Sequence, residues 1–209
     1  MTNHLHKNDL PDGLDFGRAV AIDTETQGLS LVRDKLCLVQ LSSGDGDAHI
    51  VQMDRNAYDA PNLKALLLNQ DVTKIFHFGR FDVAIMQRDL GVDTHNIFCT
   101  KIASGLVRTY TDRHGLKDIC KELLGVDLSK QQQSSDWAAD ELTDAQLSYA
   151  ASDVLYLHQL RTILTARLVR EGRLDVAQSC FDFLNTRCRL DLLGWNDVDI
   201  FSHRMRRPD

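Results

Sequence analysis

The chain has 209 residues, 43% hydrophobic and 26% charged, which suits one soluble globular domain with a substantial core and leaves little room for a second. With a formal net charge of −6, composition alone implies no long basic surface for duplex nucleic acid, so a nucleic-acid role needs local positive charge or a short substrate.

Residues 1–9 contain no apolar stretch that could serve as a signal peptide, and no later run could span a bilayer, so the expected location is the cytoplasm. Strands are predicted at 19–23, 36–41, 49–53 and 74–78. The turn signal Ser42-Ser43-Gly44-Asp45-Gly46-Asp47 makes the first three of these an antiparallel meander. No Gly-Lys-Ser/Thr follows its two glycines and no helix opens there, so a hairpin turn is preferred to a phosphate loop. From Pro61 onward helices alternate with short strands: a helix near 63–68, the strand at Ile75, a helix over about 81–90 and a strand at 97–99. That order predicts an α/β domain with a mixed sheet. Beyond Thr100 the pattern is helical, and Thr143-Asp144-Ala145-Gln146 fits a capping box opening one long helix with apolar positions at Leu147, Ala151, Val154, Leu155 and Leu164. This puts Asp153 near the beginning of a helix. Gln131 to Ser135 reads as an ordinary polar loop. The five cysteines, Cys37, Cys99, Cys120, Cys180 and Cys188, are odd in number and form no C-x-x-C pair, so they read as reduced core residues rather than zinc ligands or disulfides.

Five side chains carry chemistry. Alternation along a buried strand turns Asp23 and Glu25 to one face, and a four-residue spacing on a helix stacks Tyr149 above Asp153. Asp82 lies between these pairs in sequence; by itself it also reads as a helix-capping residue. Four carboxylates suit two hard divalent cations, magnesium or manganese, which prefer oxygen ligands. Two such ions about 4 Å apart can clamp both the attacking and the leaving oxygen of a phosphodiester. Without cations the cluster is costly, because like charges raise one another's pKa. A phenol is a poor base at neutral pH, so Tyr149 reads as a group that orients water.

The motifs Asp23-Thr24-Glu25-Thr26-Gln27-Gly28-Leu29, His77-Phe78-Gly79-Arg80-Phe81-Asp82 and Tyr149-Ala150-Ala151-Ser152-Asp153-Val154-Leu155-Tyr156-Leu157 resemble, in order, those of the DEDDy 3′-5′ exonucleases of the ribonuclease D type. Residues 113–118 and 130–137 are similar to that family's connecting helices. The resemblance covers roughly residues 15–170 and implies a ribonuclease H-like (DnaQ-like) mixed sheet flanked by helices. It also implies that Asp23, Glu25, Asp82 and Asp153 hold two metals, Mg2+ or Mn2+, and that Tyr149 positions the nucleophilic water. Phe78-Gly79 departs from the Asn-Ala common there.

The whole chain, including residues 120–137 and 190–195, is similar to the compact bacterial nanoRNases of type C, which implies a homo-octameric ring and a preference for very short RNA, diribonucleotides above all. Residues 1–172 are read as the exonuclease domain and 173–209 as a C-terminal helix and tail completing it, with the apolar residues between Leu190 and Phe201 either packed back on the core or forming a subunit interface.

Substrate contacts are sought at Thr24, Leu29, His77, Phe81, Lys101 and Arg108. Leu29 is either a wedge between two bases or a core leucine; His77 either touches substrate or is a satisfied core histidine; Phe78 and Phe81 either stack on bases or pack in the core. Lys101, Arg108, Arg113, Arg204, Arg206 and Arg207 are candidates for holding a 5′ phosphate. The competing functions are a broader 3′-5′ exonuclease on longer RNA or single-stranded DNA, and an inactive scaffold, which predicts a missing ligand where none is missing.

Overall fold

Apolar runs flanked by turn residues generate the sheet, and the computed structural model describes residues 2–129, 132 and 134–203. Two residues of the predicted polar loop, Gln131 and Gln133, lie outside the described residues. The strands are β1 (Asn3–Lys7), β2 (Ala19–Thr26), β3 (Leu36–Ser42), β4 (Ala48–Gln52), β5 (Thr73–Phe76) and β6 (Ile97–Cys99). They form one mixed sheet in the order β1-β4-β3-β2-β5-β6. β2, β3 and β4 are the expected antiparallel meander, while β5 runs parallel to both β2 and β6. β1 adds a strand to those predicted. Its sequence Asn-His-Leu-His-Lys has one apolar residue, and it becomes a strand by pairing parallel with β4 at the sheet edge, where the His4 and His6 rings stack on His49.

Eight helices follow among the described residues: α1 (Pro61–Leu68), α2 (Arg80–Asp89), α3 (Thr100–Val107), α4 (Leu116–Leu124), α5 (Asp144–Leu155), α6 (Leu157–Arg170), α7 (Leu174–Asp182) and α8 (Leu184–Leu190). The capping box at Thr143 is present, with both reciprocal hydrogen bonds to Gln146. The single long helix expected from it is two helices. The chain breaks at Tyr156 (φ −102°, ψ −6°), which ends α5 and starts α6 with no proline or glycine to mark the boundary. Asp153 therefore stands third from the end of α5, not near the start of a longer helix.

One continuous core joins the sheet to α2, α3 and α6, and a smaller cluster of Cys37, Leu38, Ile50, Trp137 and Ala150 lies where α5 covers β2, β3 and β4. Four of the cysteines are buried as expected; Cys180 is exposed on α7, whose amphipathic pattern turns it outward. In place of one C-terminal helix the chain builds α7, α8 and a π-helical turn, Asp191–Trp195, with Gly194 in the left-handed region at φ 93°. Asp191 anchors this segment. Its buried carboxylate accepts from Arg80 Nε (2.6 Å) and Arg187 Nη2 (2.6 Å), tying it to the first residue of α2. Val198 is buried, whereas Leu193 and Phe201 are exposed. Among the described residues no helix is long and apolar enough to cross a membrane.

Candidate active site

The central strand β2 sets the site. Alternation sends Asp23 and Glu25 to the face covered by α5, which brings Tyr149 and Asp153 down on them from consecutive turns. One carboxylate oxygen from each of Asp23, Glu25 and Asp153 lies within 4.8 Å of the others. Thr24 alternates to the opposite face and there donates its hydroxyl to Asp82 Oδ1 at 2.6 Å. Asp82 is not a helix cap: Gly79 holds that position, and Asp82 is buried in the first turn of α2, where the helix dipole favours a negative charge. Gly79 itself is required by crowding, since a Cβ there would stand 2.8 Å from Phe76 Cβ.

A cavity of about 380 Å³ opens over these groups, lined by Asp23, Thr24, Glu25, Asp82, Tyr149 and Asp153 together with Leu29, His77, Phe81 and Lys101. Of the candidate catalytic and contact residues only Arg108 is absent from it. The electrostatics are those of a site short of positive charge. Burial, and then the neighbouring Asp82, Asp153 and Glu25, push the Asp23 carboxyl well above its ordinary range. Burial followed by Asp153 and Asp82 raises Glu25 to about 9. Asp153 is raised by burial and then Asp82; Asp82 is raised by burial against the opposing Thr24 hydrogen bond. Among the described residues, none of the four forms an ion pair with lysine or arginine. Clustered, desolvated, uncompensated carboxylate oxygens are a donor set for hard divalent cations, and Asp23, Glu25, Asp82 and Asp153 can hold them.

Residues 6–169 match a protein family described as 3′-5′ exonuclease. The chain belongs to that family. The chain is 36% identical over 156 residues to ribonuclease D of Acidiphilium cryptum, a match covering 75% of this chain and 39% of that protein. The chain thus spans about two fifths of the length of the curated relatives it matches. Among solved structures it is similar to Brucella melitensis NrnC with bound Mg2+, at 56% identity and a TM-score of 0.94 over 98% of this chain and 100% of that one. A structure of Brucella melitensis NrnC bound to pGG matches at 57% identity, with the same TM-score of 0.94 and the same coverage of 98% and 100%.

Of the open readings of single residues, that of Leu29 as a core residue is excluded, and His77 keeps both of its alternatives. Leu29 is 87% exposed at the cavity mouth and is not a core leucine. Its loop is shaped by Thr26 Oγ1 donating to the Gly28 carbonyl at 2.5 Å, and by Gly28 passing so close to Asp34 that a Cβ would collide with its carboxylate. His77 lines the cavity with Nδ1 2.9 Å from Thr100 Oγ1, and burial followed by Lys101 holds its pKa down at about 3, so the ring is neutral. Arg108 is the correction. Its side chain is 1% exposed and points into the protein, bonded to Glu122 of α4, to Ser104 Oγ at 2.9 Å and to the Arg113 carbonyl at 2.7 Å. A guanidinium so engaged holds the α3–α4 connection together and is turned away from any phosphate in the cavity. Arg113 is exposed and does not line the cavity, and Arg204, Arg206 and Arg207 lie outside the described residues.

The structure also brings residues not singled out as contacts. Leu116, Lys117, Leu128 and Ser129 close the cavity from the α4 side, with Lys117 Nζ 3.0 Å from Asp127 Oδ1. Lys117 stands in a motif whose resemblance is to a connecting helix, and nothing in its spacing points at the carboxylates. Phe78 is half-exposed at the rim with φ 64°, a left-handed conformation costly for a bulky side chain, and Lys101 Nζ sits 4.0 Å from its ring centroid. Strain at a cavity rim, combined with a cation over an aromatic face, is a surface on which a base can stack.

Proposed function

We propose that the chain hydrolyses short oligoribonucleotides, diribonucleotides above all, from the 3′ end to nucleoside 5′-monophosphates, with two Mg2+ or Mn2+ ions held by Asp23, Glu25, Asp82 and Asp153. The observation carrying this reading is the convergence of those four carboxylates with Tyr149 in one cavity, where among the described residues no ion pair offsets their charge. Divalent ions, when bound, supply the positive charge that offsets the charge developing on the attacking and leaving oxygens. Burial and the neighbouring carboxylates raise the Tyr149 phenol, so it keeps its proton at neutral pH and orients the attacking water by hydrogen bonding rather than by acting as the base. Water adds to phosphorus, the bond to the 3′ oxygen of the preceding nucleotide breaks, and a 5′-monophosphate leaves.

Short substrates are favoured by three features. The cavity volume of about 380 Å³ matches a terminal nucleotide better than a long strand. The net charge of −6 works against affinity built from many phosphate contacts. The match to NrnC extends over that protein's whole chain, and that protein binds pGG. Leu29, Phe78, Phe81 and Lys101 are then the contacts to the two nucleotides, with His77 and Thr24 behind them. A broader, ribonuclease D-like activity has one observation in its favour: a polar cavity of about 510 Å³ holding Lys7, Lys35 and Arg55 begins at Gln27, one residue beyond the cavity-lining Thr26. Turnover on 5′-labelled RNAs of increasing length, starting from the dinucleotide, separates the two. We expect the dinucleotide to be cleaved at least about tenfold faster than the longest strand, as a site sized for one terminal nucleotide requires, and equal rates across the series would remove the diribonucleotide assignment.

The reading places the enzyme in the cytoplasm as a homo-oligomer, an octameric ring, with residues 173–209 completing the domain and contributing to the interface. Val32 (88%), Leu193 (68%) and Phe201 (78%) are exposed apolar residues suited to that role. Light scattering is expected to show a reduced mass for Leu193→Asp combined with Phe201→Asp; an unchanged mass would take these residues out of the interface. Truncation before Leu190 is a poorer test, because it removes Asp191 and with it the partner of Arg80.

A further inference from the structure

Gln40 is a fully buried side chain on β3 whose Nε2 and Oε1 both lack a hydrogen-bond partner among the described residues. Such a group costs the fold free energy, and native cores contain few of them. Its position is specific. In the antiparallel pair of β2 and β3, Gln40 stands directly opposite Asp23, so the two share a face with Cβ atoms about 5 Å apart. Its other cross-strand neighbour is Ile50, and two residues away on the same face is Leu38. Both pack in the small cluster with Trp137, and Trp137 Nε1 is itself buried without a partner among the described residues. The Trp137 ring lies 5.9 Å from that of Tyr149.

The unmet groups are complementary. The indole N–H is a donor, the Gln40 amide presents one acceptor and one donor group, and an ionised Asp23 carboxylate is an acceptor. We infer that Gln40 is a positioning residue for Asp23, completing a chain from Trp137 Nε1 to Gln40 Oε1 and from Gln40 Nε2 to the Asp23 carboxylate when a divalent ion is bound there. The chain fixes which oxygen of Asp23 faces the ion, and through the contact of Trp137 with Tyr149 it couples the two ends of the site. This inference rests on the metal-site reading above.

The test uses Gln40→Met, which keeps the volume and removes the amide, and Trp137→Phe, which keeps a ring and removes the N–H. Titration of Mn2+ into the full chain by calorimetry is expected to show affinity about tenfold weaker for Gln40→Met, and weaker by a smaller factor for Trp137→Phe. The double variant is expected to bind no more weakly than Gln40→Met alone, because the two act in one chain. Metal-free thermal stability of Gln40→Met is expected to equal or exceed that of the natural chain, since the unsatisfied amide is gone. Unchanged Mn2+ affinity in Gln40→Met, or a loss of metal-free stability with affinity intact, would overturn the inference and assign the amide to the fold. If the natural chain itself takes up no Mn2+, the metal-site reading fails instead, so the two failures are distinguishable.

Discussion

Replacing Asp82 by asparagine is expected to lower hydrolysis of a diribonucleotide in Mg2+ or Mn2+ by at least about a thousandfold, the scale on which removal of one group stabilising a transition-state charge is felt. The substitution is nearly isosteric, and the amide oxygen it introduces can still accept from Thr24 Oγ1, which now bonds Asp82 at 2.6 Å. The fold is therefore expected to persist, with an unchanged circular dichroism spectrum. Metal-free stability should rise at neutral pH and above, because a buried carboxyl with no ion pair among the described residues is replaced by a neutral amide. Lower activity together with higher metal-free stability is the signature of a group retained for chemistry. Substantial activity in this variant would remove Asp82 from the metal site.

The second large effect is the pH dependence of stability without metal. Asp23, Glu25, Asp82 and Asp153 all carry raised pKa values in the fold, with Glu25 at about 9. An acid raised in this way keeps a proton that the unfolded chain has already released at an ordinary value of about 4. Stability therefore falls as pH rises from the unfolded value through the folded one, by about 1.4 kcal/mol per pH unit for each carboxyl still protonated in the fold. Two other groups of residues act at lower pH. Asp34 and Glu122 are depressed to about 2, so their stabilisation is lost only as pH falls below about 4. His6, His49 and His77 are lowered chiefly by burial, and their effect is complete by a pH of about 6.5. Between about pH 7 and 8 the carboxylates dominate, and above about 8 Lys74, lowered by burial to about 8, acts in the opposite sense because the unfolded chain keeps a proton that the fold has released. In chelator the melting temperature is expected to drop across that window by several degrees, and saturating Mg2+ or Mn2+ should restore it by an amount that grows with pH, since binding releases the retained protons. A melting temperature flat in pH, or a metal effect independent of pH, would contradict the cluster's assigned electrostatics.

How much of this is legible in the sequence depends on whether the interaction is local. The pairing of Asp23 with Glu25 follows from strand alternation, and that of Tyr149 with Asp153 from a four-residue helical spacing, so both are found in the structure where those periods put them. The capping box at Thr143 is equally local. Arg108 differs for the opposite reason: whether it faces solvent or Glu122 depends on how α4 docks on α3, and its neighbours in sequence carry no trace of that. The break at Tyr156 has no local marker, because both flanking helices continue the same apolar periodicity. β1 reads as a polar tail until β4 lies beside it. Gln40 is the clearest case: it is one polar residue in an apolar strand, and only the register that sets it against Asp23 gives it meaning.

The carboxylate of Asp191, gripped by Arg80 and Arg187, bears on the order in which this molecule comes into being. Asp82 sits two residues after Arg80, so the helix that presents it is fastened by a residue synthesised 111 positions after that arginine. Asp153 arrives between the two. Fastening the first turn of α2 therefore needs a contact between residues 111 positions apart, a long loop to close for a helix that presents Asp82.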